Sequence, residues 1–386
     1  MSKINELIKE MCPNGVEFKK LEDCCNILDN KRKPISKGIR EMGEYPYYGA
    51  NGIQDYISDY IFDGKYVLVG EDGSVQTPNG TPIVNWAIGK IWVNNHAHII
   101  EEIDGVSLRY LYHYLQIVDV KDLIHGNIPK LNQSNFRNIK IAVPPLEVQE
   151  EIVKILDKFG ELEAELEAEL EARKSQYEFW REKLLNTGNS NQEYITLGDI
   201  GKVCMCKRIM KNETSDSGDV PFYKIGTFGK QADAYISYDI FNDYKKRFSY
   251  PKKDEILVSC SGTIGRSVVF DGEDAYFQDS NIVWLSNDES KILNKFLYYF
   301  YQTSPWNISD GGTIKRLYNN QFISAKVPLY SLEEQKKIVD ILERFDTLIN
   351  DISDGLPAEI ELRRKQYEYY RNKLLSFEEL NYETIA

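Results

Sequence analysis

The sequence predicts a chain of mixed helix and strand, built as two related domains with two long helices that pair antiparallel as a coiled coil. Three observations predict it. RKSQYEFWREKLL (173–185) returns as RRKQYEYYRNKLL (363–375), with eight of thirteen positions identical. Upstream of each copy runs an amphipathic helix pattern, and upstream of that lie two regions whose strand and turn signals correspond. Self-similarity at this scale means a duplicated architecture.

Taken in order, residues 1–16 read as a short helical segment. NELIKEMCPNGVEFKKLED (5–23) matches at a few positions REKLLNTGNSNQEYITLGD (181–199), the exit from the first repeated helix. The chain therefore opens on the tail of a helix whose body lies at its other end. Its N-terminus is expected to pack beside the C-terminal helix, a circularly permuted order that closes a pseudo-twofold arrangement. Residues 17–145 form the first domain, in which YVLVGEDG (66–73) is a buried-strand pattern ending in a polar glycine turn. Residues 146–186 form the central helix. There Ile152, Leu156, Phe159, Leu162, Leu166 and Leu170 recur at spacings of three and four. Its ELEAELEAELEA run (161–172) is a strongly helical, solvated tract.

Residues 187–330 form the second domain, where EILVSCSG (255–262) corresponds to YVLVGEDG and GGTIKRLYNNQF (311–322) to HGNIPKLNQSNF (125–136). VPLYSLEEQKKIVDILERF (327–345) matches VPPLEVQEEIVKILDKF (143–159), which aligns Gln335 with Gln149. In residues 331–386, Ser331 is a fitting N-cap and Ile338, Leu342, Phe345, Ile349 and Ile352 continue the apolar seam. Gly355-Leu356-Pro357 should break or kink that helix. The loops of the two domains differ far more than their helices, as two recognition modules of different specificity require.

Composition sets outer bounds. A hydrophobic content of 42% and a charged content of 28% describe an ordinary soluble globular protein. No apolar h-region and no membrane-length apolar run is read in the sequence, so a cytoplasmic protein is expected. Cys12, Cys24, Cys25, Cys204, Cys206 and Cys260 form no CxxC pair, so reduced thiols and no metal site are expected. The net charge of −13 is unevenly spread. Residues 17–145 carry 14 Lys+Arg against 16 Asp+Glu, and residues 193–330 carry 17 of each, whereas the helical segments 146–186 and 331–386 hold −6 and −5. Two near-neutral domains with local basic clusters leave a polyanion partner open.

This constellation resembles the specificity subunit of a type I restriction–modification system, over nearly the whole chain. The marks are the two QYE-aromatic-aromatic-R-x-KLL copies (176–185 and 366–375), the LEAE tetrads, GLPAEIELRRKQYEYY (355–370), YVLVGEDG and NNHAHII (94–100). The resemblance implies an α/β (α+β) fold, with two target-recognition domains of mixed sheets separated by the antiparallel helices. Each domain would read one half of a split, asymmetric double-stranded DNA site from the major groove. Two methyltransferase (modification) subunits carrying S-adenosylmethionine would dock on the helical region, marked by Gln176, Tyr177, Arg181, Gln366, Tyr367 and Arg371. Two restriction subunits, the ATP- and Mg-dependent translocating nucleases, would complete the enzyme. No cofactor is expected in this chain. It would be a non-catalytic subunit, and the sequence shows no GxxxxGK[ST] loop, NPPY-like tetrapeptide or HExxH motif. His96 and His98, at strand-like i, i+2 spacing, read as polar packing or DNA contact rather than a metal pair.

Affinity for DNA comes first from phosphates and specificity from base edges. Phosphate candidates are Lys31, Arg32, Lys33 and Lys37 in the first domain, and Lys207, Arg208, Lys211, Lys245, Lys246 and Arg247 in the second. Base readers belong on loops at strand ends. In the first domain these are Tyr47, Tyr48 and Asn51, with Gly49, Ala50 and Gly52 permitting close approach. Glu71, Asp72 and Ser74, then Asn94, Asn95 and His96, then His125, Asn127 and Lys130 complete that set. In the second domain they are Tyr223 and Lys224; Ser261 and Thr263; Gln278, Asp279, Ser280 and Asn281; and Thr313, Lys315 and Arg316. Each LEAE tetrad adds about 6 Å of helix, against ~3.4 Å of DNA per base step, so the paired helices would act as a ruler. Two rivals remain: a related system whose methylation and cleavage share one partner polypeptide, and a helical dimerisation scaffold that binds no nucleic acid.

Overall fold

The computed structural model describes residues 2–73, 75–185, 192–308 and 315–380. Ser74 and Thr313, two of the expected base readers, lie outside the described residues. The helices are α1 (Ser2–Met11), α2 (Leu108–Leu115), α3 (Gln133–Arg137), α4 (Leu146–Leu185), α5 (Tyr238–Arg247), α6 (Asn294–Tyr301), α7 (Asn319–Ser324), α8 (Leu332–Asn350) and α9 (Leu356–Leu374). The chain divides into two compact units, residues 1–167 with 359–386, and residues 168–358.

The first unit holds a six-stranded mixed sheet in the order Asn26–Ile27, Ala97–Glu101, Phe62–Gly70, Val84–Val93, Met42–Gly49, Gly52–Ile57. Its pairs are antiparallel except where Tyr47 and Tyr48 run parallel to Trp92 and Val93. Val67, Leu68 and Val69 are fully buried, as the apolar run of YVLVGEDG requires of a strand covered on both faces. One core joins Ile4 of α1, Tyr110 and Leu111 of α2, Phe136 of α3, Val148, Ile152 and Leu156 of α4, and Leu374 and Leu375 at the end of α9. The N-terminal helix thus packs in the same core as the C-terminal helix. The stretch 159–167 of α4 runs antiparallel to α9: Phe159 stacks on Tyr370, and Arg364 pairs with Glu163 and Glu167.

The second unit has a four-stranded antiparallel sheet, Gly201–Cys204, Ile282–Asn287, Ile256–Ser259, Ser267–Val269. A three-stranded sheet beside it pairs Val220–Tyr223 parallel with Tyr276–Phe277 and antiparallel with Tyr235–Ile236. The later part of α4 meets α8 antiparallel: Tyr177 packs on Phe345, and the Tyr330 hydroxyl donates to the Leu184 carbonyl. α8 stops at Asn350, so Ile352, expected in the seam, is 86% exposed. A Cβ on Gly355 would lie 2.6 Å from the Asp351 and Thr347 carbonyl oxygens, so only glycine lets the chain turn there. Pro357 sits in the first turn of α9, where its missing N–H costs nothing.

The same clamps recur in both units. Gln149 and Gln335 are fully buried. The Gln149 Oε1 accepts from Ser107 N at 2.9 Å, and its Nε2 donates to Pro144 O at 2.8 Å and Gly105 O at 3.1 Å. The Gln335 Oε1 accepts from Leu293 N at 2.8 Å, and its Nε2 donates to Lys291 O at 2.7 Å and Tyr330 O at 2.9 Å. Each thereby ties a long helix to the residues that open α2 or α6. About two turns further along each long helix, Arg109 pairs with Asp157 in the first unit and Lys295 with Glu343 in the second. His113, buried in α2, bonds Asp157 at 2.8 Å and the Tyr367 hydroxyl at 3.0 Å. Burial pushes His113 below the usual imidazole range, and the Asp157 carboxylate works against that without overcoming it.

Two predictions follow from the clamps. Gln149→Leu leaves three backbone groups without their partner, the Pro144 carbonyl among them buried, so urea unfolding should show a loss of about 2–3 kcal/mol, and Gln335→Leu should act alike. For His113, the open chain takes up a proton before the folded chain does. Its contribution is therefore complete above about pH 6.5 and is lost as pH falls from there to the lower folded value. Urea midpoints of His113→Gln should fall less between pH 7 and pH 5 than those of the unsubstituted chain.

Candidate nucleic-acid interface

In the first unit the basic loop is pinned by its backbone and points its lysines outward. Ile35 N–H donates to the Tyr47 hydroxyl at 3.0 Å, the Trp92 indole donates to Lys33 O at 2.6 Å, and Arg40 Nε donates to Ile35 O at 3.0 Å. Lys31, Lys33 and Lys37 are exposed. Arg32 is not, which corrects its expected place among the phosphate contacts. Its guanidinium bonds Glu71 at 2.6 Å and Ala97 O at 2.6 Å, and lies 3.4 Å from Asp29. Two carboxylates this deeply placed need a counter-charge, and Arg32 supplies it. Tyr47, Tyr48 and Asn94 are likewise buried and position the loops rather than face outward. Asn51, Asn95, His125, Asn127 and Lys130 are exposed.

Glu71 and Asp72, on the turn after Phe62–Gly70, meet residues from two other loops. Lys130 Nζ is 3.1 Å from Glu71, and His96 Nδ1 bonds the Asp72 carboxylate. Beneath them lies His98, fully buried, with Nδ1 2.7 Å from Asp29 and Nε2 2.8 Å from Leu131 O, its ring stacked on Phe136. Both ring nitrogens lie within hydrogen-bond distance of oxygen atoms. Burial works to raise the Asp29 carboxyl, but His98, Arg32 and the Ile99 N–H together hold it below its usual range. His96 and His98 therefore do not share a face; one is in the turn and one in the core. Asp29, Glu71 and His98 are the one group with metal-ligand spacing among the described residues. Their lone pairs already face Arg32, His98 and Ile99, so the set fits a buried ion network better than a metal.

In the second unit, Arg208, Lys211, Lys224 and Arg316 ring a hollow of about 580 Å³ whose floor includes residues 278–281. The Gln278 Oε1 accepts from Ile225 N at 2.9 Å, Asp279 pairs with Arg208 at 2.9 Å, and Arg316 donates to Ser280 O at 2.6 Å. Ser261 donates to Asn281 at 3.0 Å, and Ser280 sits at φ 58, a left-handed conformation unusual for serine. Tyr223 is half-buried and stacks on Phe277; Lys207 and Thr263 are exposed, as is Lys315. Lys245 and Arg247, in the last turn of α5, pair with Asp274 and Asp243, leaving Lys246 exposed without an acidic partner. Burial pushes Cys24 and Cys260 up to about 11, and Cys25 and Cys206 to about 12, so these thiols stay protonated and inert.

The repeated helix motif splits by face. Tyr177 and Tyr367 turn into their own units, bonding Gln302 and His113, and Arg371 bonds Gln116 at the end of α2. Arg181 and Arg371 each carry a buried Nε with no hydrogen-bond partner. Gln176 and Gln366 face outward, each accepting from the arginine three residues earlier. Sequence reading missed their exposed neighbours Phe179, Trp180 and Tyr369, which are 58%, 39% and 60% exposed and capped by Lys183 or Lys373. The signal was present in the aromatic pair of each copy. Among the described residues no helix is long and apolar enough to cross a membrane.

The family model for the type I restriction modification DNA specificity domain matches residues 13–172 and again 189–362. A putative type I restriction enzyme specificity subunit of Haemophilus influenzae is 52% identical over 94% of this chain and 96% of its own. A type I restriction enzyme specificity subunit of Escherichia coli is 33% identical over 70% of this chain and 71% of its own. The crystal structure of a type I restriction-modification S subunit from Mycoplasma genitalium superposes with a TM-score of 0.55 at 16% identity, covering 94% of this chain and 96% of that one. An HsdS subunit from Thermoanaerobacter tengcongensis gives 0.51 at 13% identity, over 95% and 97%. With a duplicated α/β frame, two polar loop sets and a family model matched twice, this chain belongs to the type I restriction–modification DNA specificity subunits.

Proposed function

We infer that each unit reads one half of a bipartite, asymmetric DNA site, the first through the loops around Lys31, Glu71, His96 and Lys130, the second through the hollow around Gln278 and Arg316. The observation that carries this reading is the contrast between frame and loops. The glutamine clamps repeat bond for bond, while the loop ends carry different chemistry in each unit. Lys31, Lys33 and Lys37, and Lys207, Lys211 and Lys246, supply phosphate contacts. The helical motif, through Gln176, Gln366, Phe179, Trp180 and Tyr369, receives two methyltransferase subunits, and two restriction subunits complete the complex. S-adenosylmethionine, ATP and Mg belong to those partners, and this chain is the non-catalytic subunit.

The test is long-read mapping of modified adenines in cells carrying this chain with its methyltransferase partner. A bipartite motif with two unlike halves is expected. Modification without a split motif, or none that depends on this chain, overturns the reading. Deleting one tetrad, residues 162–165, is expected to shorten the unread spacer while leaving both halves unchanged, by the same mapping. Exchanging residues 17–145 for another such domain should change one half alone.

A further inference from the structure

His96 is an exposed side chain of the first unit that several hydrogen bonds hold in place. It stands in the turn between Val84–Val93 and Ala97–Glu101 and is 47% exposed. Its N–H donates to Asn94 Oδ1 at 2.8 Å, and its carbonyl accepts from Glu71 N at 2.8 Å. Its ring Nδ1 bonds Asp72. Asp72 is held in turn: its backbone bridges Lys130, whose Nζ lies 3.9 Å from the second carboxylate oxygen. Lys130 also meets Glu71, which is locked by Arg32. A chain of ion pairs thus runs from the buried His98–Asp29 pair to one outward imidazole.

We propose that His96 is a specificity-determining residue that reads a guanine edge in the first half-site, with Asp72 as its positioning residue. This rests on the DNA-reading function inferred above. The hydrogen bond to Asp72 fixes which ring nitrogen faces outward, leaving Nε2 toward the ligand. A ring carrying hydrogen on both nitrogens presents Nε2–H as a donor beyond the Nδ1 bond, and guanine offers the paired acceptors O6 and N7 in the major groove. The same carboxylate repels a phosphate, which separates base reading from backbone contact. Asn94 and Glu71 hold the main chain so that the ring enters at one angle, as pre-organised recognition requires.

The experiment expresses the full chain with its methyltransferase and maps modified adenines for His96→Ala, His96→Gln, Asp72→Ala, Asp72→Asn and the His96→Ala/Asp72→Ala double variant. For His96→Ala, one guanine position of the first half-site becomes degenerate, with discrimination there falling about tenfold, while the spacer and second half stay sharp. Asp72→Ala relaxes the same position, the double variant relaxes it no further, and Asp72→Asn, which keeps an acceptor for Nδ1–H but removes the carboxylate charge behind the ring, relaxes it too. A first half that stays sharp at every position, at full or evenly reduced modification, overturns the proposal. So does relaxation at a position that is not guanine. If His96→Ala abolishes all modification, His96→Gln decides: a relaxed guanine supports the proposal and a sharp motif overturns it. Failure of the unsubstituted complex to modify any bipartite motif overturns the DNA reading itself, and this inference with it.

Discussion

One buried amide in each unit holds the frame on which every loop is mounted. Gln149 uses both hydrogens of its Nε2 and one lone pair of its Oε1, all on backbone groups, with no water exposure. A glutamate there could not donate, and a leucine could not bond at all. The bond to Ser107 N fixes the start of α2 against α4, and the opposite end of α2 then presents Gln116 and His113 to α9. A single side chain thereby propagates order from one helix to a second and then a third. Gln335 repeats the first step with Leu293 and the start of α6, and Tyr177 meets Gln302 at the far end of α6. A fully satisfied buried polar network of this kind specifies one arrangement, because every alternative packing leaves amides unpaired.

Such a frame tolerates unlike loops. In the first unit the strand ends are tied together by charge, with Arg32, Lys130 and His98 answering Asp29, Glu71 and Asp72. In the second unit the equivalent ground is held mostly by neutral and backbone-directed bonds, such as those from Ile225 to Gln278 and from Arg316 to Ser280. The ionic design orients carboxylates and an imidazole, whereas the neutral design offers amides and hydroxyls around a cationic rim. Base edges differ in their donor and acceptor patterns, so two such different surfaces read different sequences.

The frame was legible before any coordinates because helix periodicity and internal repetition are local properties of a sequence. The copies of QYE-aromatic-aromatic-R, the aligned glutamines and the break near Gly355 all follow from spacing. The face that each residue of the loops presents was not legible. Arg32 reads as one of a run of cations, and only the approach of Asp29 and of Glu71, 39 residues away in sequence, draws it inward. Tyr47 looks like a loop aromatic, yet its hydroxyl receives Ile35 N–H and its ring lies under Arg40. Ile352 continued the seam on paper and fell outside it because Gly355 lets the helix end early. Tertiary pairing decides the first two, and a single sequence carries no record of it, whereas the third turns on where a local glycine break takes effect.

The distribution of charge limits where a duplex can lie. The acidic excess belongs to the helices: glutamates at 161–171 crowd α4, and although Lys158, Arg173, Lys174 and Arg364 pair with five of them, residues 146–186 still hold −6. A polyanion is repelled from that surface, whereas Lys31, Lys33 and Lys37 in the first unit and Lys207, Lys211 and Lys246 in the second are exposed and open to phosphate contacts. Few such contacts give a shallow salt dependence and weak binding by the chain alone, since each neutralised phosphate contributes a slope of about −0.9. Phe179, Trp180 and Tyr369 stand on the same acidic helices, each with a lysine over its ring. Exposed aromatics amid carboxylates suit a protein partner rather than nucleic acid, because aromatic burial drives such association while the surrounding charge excludes DNA.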